Sequence, residues 1–280
     1  MILKRKIYNK LLAWKEECNG SKAILIEGAR RIGKSTIAEE FAKNEYSSYL
    51  LIDFSKGDIE VENYFVRYLN DLDTFFMLLS THFGIHLESR KSLIIFDEVQ
   101  MFPRARAAIK YLVEDGRYDY IETGSLISIK ENVKNIVLPS EERHIKMYPL
   151  DFEEYLWAMG EDMLIDYIKE CFDKKIELER SIHNKAMLLF KQYMLVGGMP
   201  KPLIAFIENH KDFVKCDKEK SYGARPLRRF IINRIETPIT YLLIDKKVNS
   251  GQILQITVKD DNLDISVIDK PNDESVHLIK

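Results

Sequence analysis

The stretch Gly28-Ala29-Arg30-Arg31-Ile32-Gly33-Lys34-Ser35-Thr36 decides the fold of this chain. An apolar run over residues 23–26 precedes it, and the pattern of residues 37–42 indicates a helix. Strand, G-x-x-x-x-G-K-[ST] and helix in this order are typical of a phosphate-binding P-loop. The alternative is a glycine-rich turn before a helix, which the spacing and both flanks disfavour. We therefore predict that all nine residues form a nucleotide-binding loop.

The residue types in this loop each have a separate task. Gly28 and Gly33 let the backbone wrap a phosphate chain without Cβ clashes. The loop N–H groups and the N-terminus of the following helix supply positive potential. Lys34 adds a mobile cation for the β- and γ-phosphates, and Ser35 supplies a hydroxyl for Mg²⁺. The sequence thus predicts ATP and Mg²⁺ as bound groups.

Length and composition indicate a soluble globular protein of one or two domains with a sizeable core. The chain has 280 residues, of which 46% are hydrophobic and 31% charged, with a net charge of −2. This charge gives no support for nucleic acid as a partner, although a local basic patch stays open. Apolar runs are too short for a membrane span, and the N-terminus lacks the apolar core of a signal peptide. Because Cys18, Cys171 and Cys216 show no paired spacing, we expect reduced thiols in a cytoplasmic protein.

A second element of the site is the apolar run 93–96 followed by Asp97 and Glu98. It indicates a buried parallel strand with two acids at its carboxyl end. Downstream of a P-loop this is the Walker B pattern, in which Asp97 holds Mg²⁺ directly or through water. Glu98 then orients and deprotonates the attacking water. The alternative is a strand that simply ends in two solvated acids.

Hydrophobic periodicity predicts the remaining elements of an α/β core. We expect strands at 48–54 and 118–125, and helices at 3–18, 57–88 and 104–115. Together with the P-loop they predict a parallel sheet flanked by helices.

The sequence allows two interpretations of Asp53 and of the pair His82 and His86. Asp53 ends a predicted strand, where α/β sheets place functional side chains, but a cap or loop contact is equally expected. His82 and His86 lie four residues apart and could share a helix face. A metal site would need more ligands, and Gly84 weakens the helix between them, so we expect no metal there.

The chain after residue 150 is predicted to be a helical lid and not a second sheet. Pro149 and Asp151 signal the start of a helix, and residues 152–195 are mainly helical by pattern. The Gly-Gly-Met-Pro run at 197–200 interrupts it before the apolar run 203–207.

Beyond a polar linker at 211–221 the pattern changes again. Pro226 suits the first turn of a helix that ends near residue 238 or continues to 243. Residues 252–258 alternate as a strand, with 262–268 as a possible partner. The predicted domains are an N-terminal helix (1–19), a P-loop ATPase core (20–150), a helical segment (151–216) and a small α+β module (217–280).

Residues from about 4 to 210 resemble the prokaryotic AAA-superfamily ATPases that open with a basic N-terminal helix. The motifs that carry the resemblance are Gly28–Ser35, Phe96–Gln100, Thr123–Ser125, Pro149–Glu153 and Gly-Gly-Met-Pro at 197–200. The resemblance implies an α/β P-loop NTPase fold of AAA type and ATP binding. It also implies that Thr123 and Ser125 sense the γ-phosphate or the water, where the alternative is an ordinary turn hydroxyl.

Arg143 is the candidate for an arginine finger acting on a neighbouring subunit, with a surface salt bridge as the alternative. The family commonly has Gly-Arg where this chain has Glu142-Arg143.

A second resemblance lies in the C-terminal part. Tyr-Gly-Ala-Arg-Pro-Leu-Arg-Arg at 222–229, and the residues around Pro238 and Gln252, are similar to the small domain of Clp-type unfoldases. By this resemblance Arg225 would be a sensor arginine that reaches the γ-phosphate. The alternative is a solvated basic helix face. The first part of that small domain and an unfoldase pore loop are missing, which suggests a fusion.

Three functional hypotheses follow. The chain is an AAA ATPase that moves or remodels a protein partner or its own oligomer, a Clp-type chaperone or protease subunit, or a nucleotide-binding module without turnover. A small-molecule kinase is disfavoured because Glu98 beside Asp97 favours water as the nucleophile.

Overall fold

The computed structural model describes residues 1–125, 141–209, 237–244, 248, 252–259 and 262–268. The chain divides into two compact units, Met1–Ile207 and Glu208–Lys280. The helical segment predicted for 151–216 therefore lies, as far as residue 207, in the same unit as the predicted core.

The first unit is built on a parallel sheet of five strands. The strands are β1 (Ala23–Gly28), β2 (Ser48–Asp53), β3 (Ser92–Asp97), β4 (Asp119–Ser125) and β5 (Glu142–Met147). Their order is β2-β3-β4-β1-β5, and all neighbouring pairs are parallel. The carboxyl ends of all five strands therefore meet at one edge of the sheet, where open α/β sheets bind ligands. The predicted α/β P-loop NTPase fold is confirmed.

Helices cover both faces of this sheet. They are α1 (Ile7–Cys18), α2 (Lys34–Glu45), α3 (Ile59–Arg67), α4 (Leu72–Phe83) and α5 (Pro103–Asp115). The first two cover one face, with Trp14 and Phe41 fully buried against β1. The other three cover the opposite face, where Phe65 is fully buried near Phe75 and Phe96. Burying a side chain of this size contributes roughly 1.5–3 kcal/mol.

The helix predicted over 57–88 is two helices. The side chain of Asp71 accepts a hydrogen bond from the Thr74 N–H and so caps a new helix start. Apolar periodicity continues through this break because both helices turn their apolar residues to the same core.

Four more helices follow the sheet in the first unit and continue to residue 208. They are α6 (Phe152–Met159), α7 (Asp162–Lys174), α8 (Arg180–Val196) and α9 (Pro200–Glu208). The start predicted at Asp151 is confirmed, because Asp151 and Glu154 form a reciprocal capping box. Within the described ranges, no helix has the length and apolar character needed to cross a membrane.

Strand β5 was not predicted. It lies at the sheet edge beside β1, and three of its six residues are exposed. Its buried positions hold Glu142, Ile145 and Met147, so the alternation of apolar and polar residues is weak. An edge strand with this composition carries little periodic signal.

The second unit contains helix α10 (Thr237–Ile244) and the strands β6 (Ile253–Lys259) and β7 (Asn262–Ile268). The two strands form an antiparallel hairpin in which Ile256 pairs with Ile265. Both predicted strands are confirmed. The predicted linker at 211–221 and Arg225 lie outside the described residues.

Candidate nucleotide-binding site

The P-loop lies between β1 and α2, at the carboxyl edge of the sheet. A Cβ atom on Gly28 would lie 2.4 Å from the Met147 carbonyl oxygen and 2.6 Å from Ile32 Cδ1. Gly33 precedes α2 with φ at +92°, a conformation that L side chains rarely adopt. Both glycines of the motif are therefore required by the backbone itself.

Lys34 is buried at the start of α2, and only 5% of its surface is exposed. Its Nζ donates hydrogen bonds to the carbonyl oxygens of Gly28 and Ala29, at 3.3 and 3.0 Å. Burial lowers the pKa of Lys34, while the Glu98 and Asp97 carboxylates oppose that effect. A desolvated ammonium held by loop carbonyls is suited to exchange these neutral partners for a phosphate anion.

The carboxylate of Asp97 joins three elements of the sheet edge. Its Oδ1 accepts hydrogen bonds from Ser35 Oγ at 2.6 Å and from Thr123 Oγ1 at 2.5 Å. The first hydroxyl belongs to α2, the carboxylate ends β3, and the second hydroxyl belongs to β4. The two predicted Mg²⁺ ligands, Ser35 and Asp97, are thus in direct contact. Both offer the oxygen atoms that Mg²⁺ prefers, so the residues present fit this ion.

Glu98 follows β3 in an unusual backbone conformation. Its φ is 53°, in the left-handed region, and its N–H donates to Thr123 Oγ1 at 3.1 Å. Its carboxylate accepts a hydrogen bond from the side-chain amide of Gln100. A non-glycine residue in this region is uncommon, and such residues cluster at functional sites.

Gln100 is a site residue to which the sequence analysis gave no role. It is buried, and besides donating to Glu98 it accepts a bond from the Ser125 N–H at 3.4 Å. It thereby connects the predicted base to the end of β4. Its position two residues after Glu98 within Phe96–Gln100 was the signal that could have identified it.

The structure places the other predicted residues in different ways. Thr123 is fully buried and contacts both Asp97 and Glu98, whereas Ser125 reaches this group through its backbone. Asp53 accepts hydrogen bonds from the backbone and hydroxyl of Ser55, so it is a turn cap, the alternative stated above.

Arg143 does not lie at the P-loop. Arg143 pairs with Ile24 in the β1–β5 register, so it lies about 13 Å along the strand from Gly28. Its guanidinium forms an exposed salt bridge with Glu17 of α1 at 2.6 Å. The salt-bridge alternative is observed, and the role in a neighbouring subunit stays a prediction. Arg225 lies in a part of the chain that is not described.

A cavity of about 430 Å³ opens beside the P-loop. The N-terminal residues Met1, Ile2 and Leu3 line it, as do Pro200 and Ile204 of α9. Lys34, Ser35 and Glu98 line it as well. The cavity thus combines apolar side chains with polar ones, as small-molecule sites generally do. A site role of these N-terminal and α9 residues was not predicted from the sequence.

A buried charged cluster lies behind β4, on the face covered by α5. Arg106 makes hydrogen bonds from Nε and Nη2 to both oxygens of Glu142, between 3.1 and 3.3 Å. The neighbouring Glu122 is fully buried and precedes Thr123 in β4. Burial raises the pKa of Glu122 well above its usual range, and the Glu142 carboxylate adds to the rise. Burial thus favours the protonated form of Glu122.

This cluster gives a prediction for stability against pH. Because the pKa of Glu122 is raised in the folded state, its contribution to stability is fully present below the unfolded pKa of about 4.3. That contribution is lost as pH rises through the folded value. The variant Glu122→Gln keeps the shape and removes the titration. Between pH 5.5 and 8.5 we expect wild type to lose about 1 kcal/mol or more of unfolding free energy relative to the variant.

Urea unfolding at pH 5.5, 7.0 and 8.5 measures this difference. The exposed Glu16→Gln is the matched control, and its curve should run parallel to that of wild type. Parallel curves for wild type and Glu122→Gln would contradict the raised pKa.

The similarities of this chain to known proteins agree with the geometry of the P-loop and the sheet. Residues 20–156 match the family model described as AAA domain. This part of the chain is therefore similar to an AAA domain. Residues 208–256 match the model described as the C-terminal, D2-small domain of ClpB protein. Both resemblances drawn from the sequence are confirmed: an AAA-type core is joined to a Clp-like small domain.

The relatives match parts of this chain. An uncharacterized protein of Methanocaldococcus jannaschii is 22% identical over 209 residues, which are 71% of this chain and 41% of that protein. The chaperone protein ClpB of Lactiplantibacillus plantarum is 43% identical over 56 residues, 20% of this chain and 6% of ClpB. The chain thus spans less than half the length of these curated relatives.

Solved structures of low overall similarity were also found. The Walker-type ATPase PABY2304 of Pyrococcus abyssi is 15% identical, with a TM-score of 0.42, over 88% of this chain and 76% of that one. PCH-2 of C. elegans is 14% identical, with a TM-score of 0.39, over 82% and 68%. The fold assignment rests on the sheet itself and not on these similarities.

Proposed function

We propose that this chain binds ATP with Mg²⁺, hydrolyses it to ADP and phosphate, and uses the cycle to drive a conformational change in a partner. The observation that carries the proposal is the pair of hydroxyls, Ser35 and Thr123, on Asp97 Oδ1 beside the buried Lys34. The candidate metal ligands Ser35 and Asp97, the candidate phosphate-binding Lys34 and the candidate base Glu98 lie together at the carboxyl edge of the sheet. The AAA domain match supports ATP binding at the level of the family.

The P-loop residues bind and orient the phosphates. The backbone N–H groups of the loop and of the first turn of α2 present partial positive charge to them. Lys34 releases the Gly28 and Ala29 carbonyls and donates to phosphate oxygens instead. The negative charge of the phosphates offsets the cost of burying the ammonium, so binding favours the protonated form of Lys34.

Ser35 and Asp97 would hold Mg²⁺, which when bound neutralises charge on the β- and γ-phosphates. In the structure their oxygens satisfy one another. Thr123 keeps the carboxylate in place through its own bond to the same oxygen. Asp97 is thus oriented by β4 before any ion is bound, which limits the reorganisation needed on binding.

Glu98 takes the proton of the attacking water. Its backbone is held by Thr123 and its carboxylate by Gln100. Positioning of this kind is the main catalytic contribution in phosphoryl transfer. For this step the water has to replace part of the hydrogen bonding between the Gln100 amide and the Glu98 carboxylate. The contact between these two residues therefore changes when the base acts.

The two predicted sensor residues should differ in effect. Thr123→Val removes the hydroxyl that contacts Asp97 and Glu98, and we expect kcat for phosphate release to fall by about tenfold to a hundredfold. Ser125→Ala leaves the backbone bond to Gln100 in place, and we expect it to lower kcat by less than Thr123→Val does. Equal effects of both variants on kcat would contradict the role proposed for the Thr123 hydroxyl.

A Clp-type role is the second candidate, favoured by the ClpB small-domain match at 208–256. In this case the partner is an unfolded protein, and ATP promotes assembly of several copies of the chain. Arg143 would act on a neighbouring subunit, and Arg225 on the γ-phosphate. A cytoplasmic location is consistent with either role.

Phosphate release from ATP tests the proposal, measured with and without Mg²⁺ over a range of protein concentrations. We expect release that requires Mg²⁺, with a rate per chain that rises with protein concentration if neighbouring subunits complete the site. Stimulation by an unfolded protein would favour the Clp-type role. ATP binding with no release at any concentration would leave the third hypothesis, a binding module.

A further inference from the structure

Arg5, just before α1, is buried against the P-loop. Its guanidinium donates hydrogen bonds to the P-loop and to two residues of the segment 148–154, which is distant from the loop in sequence. Nη1 donates to the Ile32 carbonyl at 2.9 Å, Nη2 to the Tyr148 carbonyl at 2.7 Å, and Nε to Glu154 Oε1 at 3.2 Å. The planar fork of arginine suits such a junction, and lysine has no equivalent geometry.

The bond to Ile32 fixes a peptide unit of the phosphate-binding loop. The Ile32–Gly33 peptide is trans, so its carbonyl and its N–H point in opposite directions. Because the Ile32 carbonyl points to Arg5, the Gly33 N–H points away from it. Gly33 has φ at +92° and lines the cavity, so this peptide could otherwise adopt other orientations.

Charge alone does not explain this arrangement. Arg5 and Glu154 form a buried ion pair, with both side chains about 6% exposed, so the net charge that Arg5 brings to the loop is small. Glu154 also accepts the Lys6 N–H at 2.7 Å and caps α6. Glu154 of α6 thus fixes the guanidinium of Arg5, and the guanidinium in turn fixes the loop through Ile32.

We infer that Arg5 is a positioning residue for nucleotide binding: it orients the Ile32–Gly33 peptide so that the Gly33 N–H faces the phosphates. Glu154 acts through Arg5 by fixing its guanidinium. The inference rests on the proposed function for the identity of the ligand, a nucleoside triphosphate. An N–H that contacts phosphate before and during the reaction contributes to binding of both states, so its loss raises KM and leaves kcat unchanged.

The test compares Arg5→Lys, Glu154→Gln and Lys6→Ala by KM and kcat for Mg-ATP, with Tm of the nucleotide-free proteins. Lys6→Ala is the matched control, because Lys6 joins the same N-terminal segment to Asp151 and Glu153 without contacting the P-loop. We expect Arg5→Lys, which keeps the charge, to raise KM about tenfold with kcat within about twofold. Lys6→Ala should leave both constants within about twofold.

Glu154→Gln separates orientation from charge. It removes a negative charge near the site, so a purely electrostatic role of Arg5 predicts tighter ATP binding. Positioning predicts a KM raised by several-fold, because the guanidinium loses its anchor. Tighter binding in this variant would overturn the inference.

Other results are equally decisive. Arg5→Lys with the constants of wild type, or with a reduced kcat at unchanged KM, would overturn the inference, as would failure of this variant alone to fold. If wild type binds ATP without turnover, hydrolysis fails and the same comparison is made on Kd from equilibrium binding. If wild type binds no ATP, the proposed function and this inference both fail.

Discussion

Glu98→Gln is expected to bind Mg-ATP as tightly as wild type and to release phosphate at least about a hundredfold more slowly. The substitution keeps the size of the side chain and removes its ability to accept a proton. The contacts that bind phosphate lie elsewhere, on Lys34 and the loop amides, so affinity should persist. Equilibrium binding of labelled ATP and steady-state phosphate release measure the two quantities separately.

The matched control is Glu114→Gln on the exposed surface of α5, which should behave as wild type in both measurements. A Glu98→Gln variant that keeps the turnover of wild type would show that another group accepts the proton. Loss of binding together with turnover would instead place Glu98 among the groups that hold the nucleotide.

Lys34→Ala is expected to lose ATP affinity by about a hundredfold or more, since a desolvated charge-assisted contact to phosphate disappears. The variant should nevertheless fold. In the nucleotide-free protein Lys34 is a buried cation whose pKa is lowered by desolvation. Its removal therefore relieves a cost of burial, and Tm should equal or exceed that of wild type.

Thermal unfolding with and without Mg-ATP checks both halves of this prediction. Wild type should show a rise in Tm with ATP, and Lys34→Ala should show none. Lys43→Ala is the control on the same helix, where the exposed Lys43 pairs with Glu39. An ATP-induced rise in Lys34→Ala equal to that of wild type would contradict the assignment of the P-loop.

The parts of the site that the sequence predicted are those encoded over a few residues. The loop at 28–36 and the acids after β3 owe their chemistry to local spacing, and the parallel sheet places them at one edge. The order of the strands is what brings Thr123 to Asp97. Its hydroxyl could be nominated only through the resemblance, since periodicity carries no such information.

The parts that the sequence did not predict depend on contacts between distant segments. Arg5 lies 149 residues from Glu154, and nothing in its surroundings in the chain marks it as buried. Strand β5 is recognisable only through its pairing with β1. The split between α3 and α4 depends on the cap at Asp71, which a continuous apolar period conceals.

Two polar residues that were considered as site candidates from the sequence, His82 and Arg143, contact acidic side chains near the surface. The His82 ring on α4 contacts the carboxylate of Asp58, the residue that caps α3, at 2.9 Å. Arg143 pairs with Glu17 in the same way. For Arg143, the residue proposed from sequence as an arginine finger, the structure thus shows a surface ion pair with Glu17.

A single-turnover experiment tests directly whether this chain hydrolyses bound ATP. Wild-type protein in excess over γ-labelled ATP, with Mg²⁺ and at several protein concentrations, is followed for label that remains in ATP and label that appears as phosphate. The account predicts that bound label passes from ATP to phosphate exponentially, and that omission of Mg²⁺ prevents it. Label that stays in bound ATP at every protein concentration would contradict the account.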